Sequence, residues 1–155
     1  MTTIRTFMTD DHRRCDDLFA ETEQAIAKKN LPAAKAAFAH FRNAILAHFD
    51  CEEKTLFPTF EAKTAMRVGP TQVMRMEHRQ MRALLDDAVD ALEQGNSDDY
   101  LGLADTLLIM MQQHNMKEEN ILYPMCDQHL AAGTPAVPAR LSTELNEAWA
   151  MRKLP

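Results

Sequence analysis

The sequence predicts an all-α protein, an up-down-up-down four-helix bundle with a short helix appended at its C-terminus, and three observations carry that expectation. Only four Gly stand among 155 residues, against eleven Met and abundant Ala, Leu, Glu and Lys, a composition that favours helices over turn-rich sheets. Apolar residues recur at helical spacing through four long stretches. Helix-breaking residues separate those stretches at Asn30-Leu31-Pro32, Phe57-Pro58, Gly69-Pro70 and Gly95-Asn96. Such short connections join antiparallel neighbours in a bundle.

The first stretch covers residues 10–29, with Thr9 or Asp10 placed to cap it and Asp11, Asp16 and Asp17 suited to the positive end of its dipole. The second covers residues 32–56 and is Ala-rich. It should end or kink at Phe57-Pro58, because Pro58 lacks an N–H and disfavours the α region at Phe57. The third covers residues 71–94. The fourth starts at Ser97 or Asp98 and reaches Tyr123-Pro124, with a continuation towards Leu130. Residues 133–138, Gly-Thr-Pro-Ala-Val-Pro, read as a linker, after which Leu141, Leu145, Ala148 and Trp149 recur at helical spacing. The chain therefore divides into a bundle at 1–132 and a linker with a short helix at 133–155. That helix would lie on its own bundle or on a neighbour's, which leaves a homodimer open.

With 17 Lys+Arg against 23 Asp+Glu the formal charge is −6, and no run of five basic residues occurs. That balance offers no footprint for nucleic acid or anionic membrane. A chain of this size buries roughly 68–70% of its unfolded surface, enough for a core without disulfides. Cys15, Cys51 and Cys126 are odd in number and widely spaced, which fits a reducing compartment better than a disulfide framework or a Cys-x-x-Cys metal site. Neither a signal peptide nor an 18-residue apolar run is visible, so a cytoplasmic location is expected.

Sliding the chain by 66 positions superimposes His12 on His78, His48 on His114, Glu52 on Glu118, Glu53 on Glu119, Leu56 on Leu122, Phe57 on Tyr123 and Pro58 on Pro124. Asp11 falls on Glu77 and Met8 on Met74. The chain reads as two helical hairpins, each with one His on its first helix and His-x-x-x-Glu on its second. Packing accounts for the Leu and aromatic-Pro pairs. It does not account for the His and Glu, which share apolar stripes with Met8, Cys15 and Phe19; with Ala34, Ala37, Phe41 and Ile45; with Met74, Met81 and Leu85; and with Leu107, Met111, Ile121 and Met125.

An unpaired buried carboxylate costs several kcal/mol and an uncompensated imidazole roughly 1–3 kcal/mol more. Six such groups would exceed a typical stability of ~5–15 kcal/mol. No Arg or Lys shares the stripes, whereas His with carboxylate ligates divalent transition metals well. His12, His48, Glu52, His78, His114 and Glu118 are therefore the candidate metal ligands. Six are too many for one tetrahedral zinc and suit two ions, each with two His and with both carboxylates bridging, which leaves room for a solvent bridge and an exogenous ligand. Iron, manganese and zinc all remain open by ligand type. A spacing of four returns a side chain to the same helix face and a spacing of five does not. Glu52 and Glu118 should thus ligate, while Glu53 and Glu119 support the ligands from outside or face solvent.

On these residues the chain resembles the hemerythrin-like, or HHE cation-binding, family: Asp11-His12, the window 48–58, Glu77-His78 and the window 114–124 stand in the order that family uses, over residues 8–130. The resemblance implies a left-handed bundle around a non-haem di-iron centre, carboxylate-bridged and with an oxo or hydroxo bridge. His12, His48, His78 and His114 would bind iron and Glu52 and Glu118 would bridge. It also implies binding or sensing of oxygen, or of a related ligand such as nitric oxide. Two departures from oxygen-carrying members point to a more symmetric, more open site: Met74 stands where they have a fifth His, and Glu118 follows His114 by four residues rather than five. A redox enzyme, an iron-sulfur repair factor, or a factor that removes nitric oxide or peroxide is the alternative. A structural metal in a partner-binding bundle is a third reading.

His40 and His129 lack repeat partners and read as surface or packing residues, Cys15 and Cys51 as small core filler, and the Met as adaptable core. No nucleophile-base arrangement, phosphate loop or His-Glu-x-x-His motif supports hydrolase or kinase chemistry.

Overall fold

The structure, a computed structural model, describes residues 3–66, 68–130, 141 and 143–145. Its helices are α1 (Ile4–Ala27), α2 (Leu31–Cys51), α3 (Phe57–Thr64), α4 (Pro70–Glu93), α5 (Ser97–Lys117) and α6 (Tyr123–Leu130). No strand occurs among the described residues. The four long helices α1, α2, α4 and α5 form an up-down-up-down bundle in which α1 packs on α2 and α5, and α4 on α2 and α5. Side-chain bonds place the starts of α1 and α4 beside the ends of α2 and α5.

The first helix begins earlier than its sequence suggests. Thr3, not Thr9 or Asp10, caps it by accepting from the Thr6 N–H. From α6, the Asp127 carboxylate accepts from the N–H groups of Ile4 and Arg5 at 2.8 and 3.1 Å. A carboxylate suits the positive helix end. No local signal announces a cap supplied from so far along the chain.

The repeat extends into the connections. Lys29 and Gly95, 66 residues apart, both take positive φ, 56° and 69°. Each closes its helix in the same way: Asn30 N–H bonds Ala25 O and Asn96 N–H bonds Ala91 O. The asparagine side chains then cap α2 and α5 by accepting from Ala33 and Asp99.

Neither proline ends its helix. A π-helical turn over Glu52–Leu56 joins α2 to α3, and a second over Glu118–Leu122 joins α5 to α6. In the first, Phe57 N–H bonds Glu52 O, one residue further back than in an α-helix. That frees the Glu53 carbonyl, which accepts from Arg75 at 3.3 Å. The wide turn advances the buried face by one residue, so Leu122 is buried whereas Ile121, expected to face the core, is 56% exposed.

Two apolar clusters fill the bundle. One gathers Phe19, Phe38, Phe41, Met81, Leu85, Tyr100 and Leu107; the other gathers Met8, Leu56, Phe57, Phe60, Tyr123 and Cys126. Leu141 and Leu145 are buried in the second cluster, and Thr55 donates to Glu144 at 2.7 Å. The described part of the appended segment therefore lies on its own bundle. The linker at 133–138 and residues Ala148 and Trp149 lie outside the described residues.

Candidate metal centre

Between the two apolar clusters lies a polar layer. His12 and His78 come from α1 and α4, His48 and His114 from the last turns of α2 and α5, and Glu52 and Glu118 from the first positions of the two π-helical turns. All six are buried, with Glu52, His78 and Glu118 at 0% exposure. The structure thus brings together every residue singled out from the stripes. The two ring nitrogens of each imidazole meet different partners.

Each imidazole Nδ1 meets a carboxylate behind it. His12 pairs with Glu119 at 2.7 Å and His78 with Glu53 at 2.8 Å. His48 pairs with Asp11 at 2.7 Å and His114 with Glu77 at 2.9 Å. These four contacts obey the 66-residue repeat. Three of the carboxylates are in turn held by a base: Asp11 by Arg14, Glu53 by Arg82 at 2.8 Å, and Glu77 by Lys117 at 2.5 Å. Asp11 and Glu77 were visible in the sequence as repeat matches, but their role depends on contacts between helices.

A carboxylate on Nδ1 holds the Nδ1–H tautomer and turns the Nε2 lone pair into the layer, as metal-ligating His requires. Glu118 Oε1 lies 3.1 Å from His12 Nε2 and 3.2 Å from His114 Nε2, and Glu52 Oε1 lies 3.2 Å from His78 Nε2. Two donor groups result: Glu52, His78, His114 and Glu118 in one, and His12, His48 and Glu118 in the other, each with its ligand atoms within 4.8 Å of one another. Glu118 belongs to both. Four buried atoms of this layer, Glu52 Oε1, Glu118 Oε2, His78 Nε2 and His114 Nε2, find no hydrogen bond. Leaving such atoms unsatisfied is costly, and a cation satisfies them all.

The charges behave accordingly. Burial pushes the His12 imidazole down, but bonds to Glu118 and Glu119 outweigh it and carry the pKa up to about 10. His78 is carried up to about 9 against burial by Glu52 and Glu53. Burial and the neighbouring Glu118 charge raise Glu52. Glu118, despite its burial, is held low by His114 and His12. Without metal, the layer takes up protons to balance its carboxylates.

The sequence reading missed one polar group. Tyr123 is fully buried, and its hydroxyl donates to Glu52 Oε2 at 2.9 Å and Glu118 Oε1 at 3.0 Å. Its repeat counterpart Phe57 stacks on His78, ring centroids 5.8 Å apart, and Phe49 stacks on the same ring at 4.0 Å. Cys15, Cys51 and Cys126 are buried and outside any disulfide, and burial pushes the thiols of Cys51 and Cys126 well up. Neither donor group includes a thiol. His40 is exposed and His129 stands against Phe60, 6.1 Å between centroids.

The model of the hemerythrin HHE cation-binding domain matches residues 3–126. The chain belongs to that family. No curated protein and no solved structure matches it. Membership and the buried His/Glu cluster together make the layer a metal-binding site of the HHE type. No helix among the described residues is long and apolar enough to cross a membrane.

Proposed function

We propose that this HHE chain is a non-haem di-iron protein that binds or senses oxygen or a related small ligand such as nitric oxide. His12 and His48 would hold one ion and His78 and His114 the other, with Glu118 shared between the two groups and Glu52 beside the second. The observation that carries this reading is the set of inward-facing donors in two groups sharing Glu118, several of them without any hydrogen bond. Two groups support two ions. A donor set of imidazole and carboxylate without thiolate suits iron, and the matched family is a cation-binding one.

Bound iron supplies redox-active coordination positions that a diatomic ligand can enter. The chain's own residues do the rest. Glu119, Asp11, Glu53 and Glu77 fix the four imidazoles and raise their basicity. The apolar clusters above and below exclude water. Such a closed, low-dielectric site favours a small uncharged ligand over a charged substrate.

Metal analysis of protein purified with iron available should give two irons per chain. A fold of full stability that takes up no metal would sink the proposal. An anaerobic-to-aerobic optical titration then separates binding from turnover: reversible spectra fit carriage or sensing. Irreversible oxidation, with steady-state consumption of peroxide or nitric oxide, fits the redox-enzyme reading instead.

A further inference from the structure

The two halves of the centre differ in their oxygen donors. The group around His78 and His114 has four close donors, whereas the group around His12 and His48 has three, with Glu52 Oε1 standing off at 3.5 Å from His48 Nε2. On that poorer side stands the Tyr123 hydroxyl, 3.2 Å from His12 Nε2 and 3.2 Å from His48 Nε2. It is also 3.0 Å from Glu118 Oε1 and 2.9 Å from Glu52 Oε2. Its repeat counterpart is Phe57, which fills the matching space with a ring alone. Packing therefore needs the ring and not the hydroxyl.

The distances carry the argument further. Two ligands bound about 2.1 Å from one metal are about 3.0 Å apart at a right angle and about 3.4 Å apart at the tetrahedral angle. The Tyr123 oxygen stands at such a separation from three donors of one group at once. A phenol that only linked the two carboxylates by hydrogen bonds would not need to face both imidazole nitrogens.

We propose that Tyr123 is a ligand of the ion held by His12 and His48, a hard phenolate oxygen that makes the two metal positions chemically unequal. The inference rests on the di-iron reading above. On coordination the metal replaces the phenolic proton, which passes to solvent, so no oxidant or reductant is needed for the step. The Phe57 side has no such oxygen, and its ion keeps Glu52 instead.

The test loads the full chain with iron(III) and records metal content, visible absorption and resonance Raman scattering, comparing wild type with Tyr123→Phe. Phe is already the residue at the matching position of the first half, so the variant should keep its fold. Wild type should show an intense phenolate-to-iron charge-transfer band with phenolate vibrations in resonance, and Tyr123→Phe should lose both. With zinc as a redox-silent probe, the variant should weaken one of two binding equivalents at least about tenfold, no less than loss of a supporting residue costs. Wild type that binds two irons without the band, or a variant that keeps it, overturns the Tyr123 assignment alone. Wild type that takes up no iron overturns the di-iron reading and this inference with it.

Discussion

Asp11 gives the sharpest handle on how the centre is built. It is 1% exposed, and its carboxylate accepts from His48 Nδ1 at 2.7 Å while Arg14 holds its other oxygen. Replacing it with Ala strands a buried Nδ1–H. A hydrogen bond to a charged group contributes roughly 1.5–3 kcal/mol. Loss of a carboxylate behind a ligating His typically costs ~10–100-fold in metal affinity, which is ~1.4–2.7 kcal/mol. The two figures agree, so Asp11→Ala should weaken one zinc equivalent by that factor and leave the equivalent at His78 and His114 close to wild type. Competition against a calibrated chelator measures both. Asp127→Ala is the control, because Asp127 caps α1 outside the metal layer; it should lower the Tm by losing a cap of ~1 kcal/mol and leave affinity alone. If Asp11→Ala binds both equivalents as tightly as wild type, or if Asp127→Ala weakens metal equally, the supporting role is refuted.

Glu118→Ala should abolish the metal pair, whereas Glu52→Ala should retain the ion at His12 and His48, since only Glu118 belongs to both groups; equal metal content in the two variants would contradict that sharing. Metal-free protein should be most stable near neutrality. His12 and His78, raised to about 10 and about 9, contribute fully below their ordinary value and lose that contribution as pH rises through 9–10. Asp11 and Glu53, lowered to about 2, contribute above the ordinary carboxylate range and lose it as pH falls towards 2. A Tm of chelator-treated protein that keeps climbing above pH 10 would contradict this. Lys29→Gly should stabilise by up to about 1 kcal/mol in denaturant unfolding, because Lys29 holds the left-handed φ that Gly95 takes at the matching turn. Leu145→Ala should cost ~2–5 kcal/mol by the same measurement if the appended segment is integral to the second apolar cluster.

The bundle and the buried His/Glu cluster were legible in the sequence because both depend on local spacing. His48 and Glu52 are one turn apart, and a shift of 66 residues finds His114 and Glu118 without any structure. What escaped depends on neighbours. The start of α1 is fixed by Asp127 from α6. Pro58 read as an end or a kink and Pro124 as a point the helix could pass, but neither showed how: a π-helical turn before each carries the helix past it, and Arg75 supplies a donor to the freed Glu53 carbonyl. The same turns displaced Ile121 from the core, since a uniform helical period cannot foresee one added residue. Tyr123 was read as an aromatic packing partner because its match is Phe57; only the bundle shows where its hydroxyl points.

The crosswise contacts have an ancestral consequence. His12 of the first half leans on Glu119 of the second, and His78 of the second on Glu53 of the first. The imidazoles of each donor group come from one half and a carboxylate from the other. Each donor group thus borrows a carboxylate from the other half, and two copies of one hairpin, related by a two-fold axis, would supply every imidazole, both inner carboxylates and all four outer ones. Duplication and fusion of such a self-pairing hairpin would then have freed the halves to diverge. The exchange of Phe for Tyr at a single matched position is the kind of difference that a symmetric dimer could never hold.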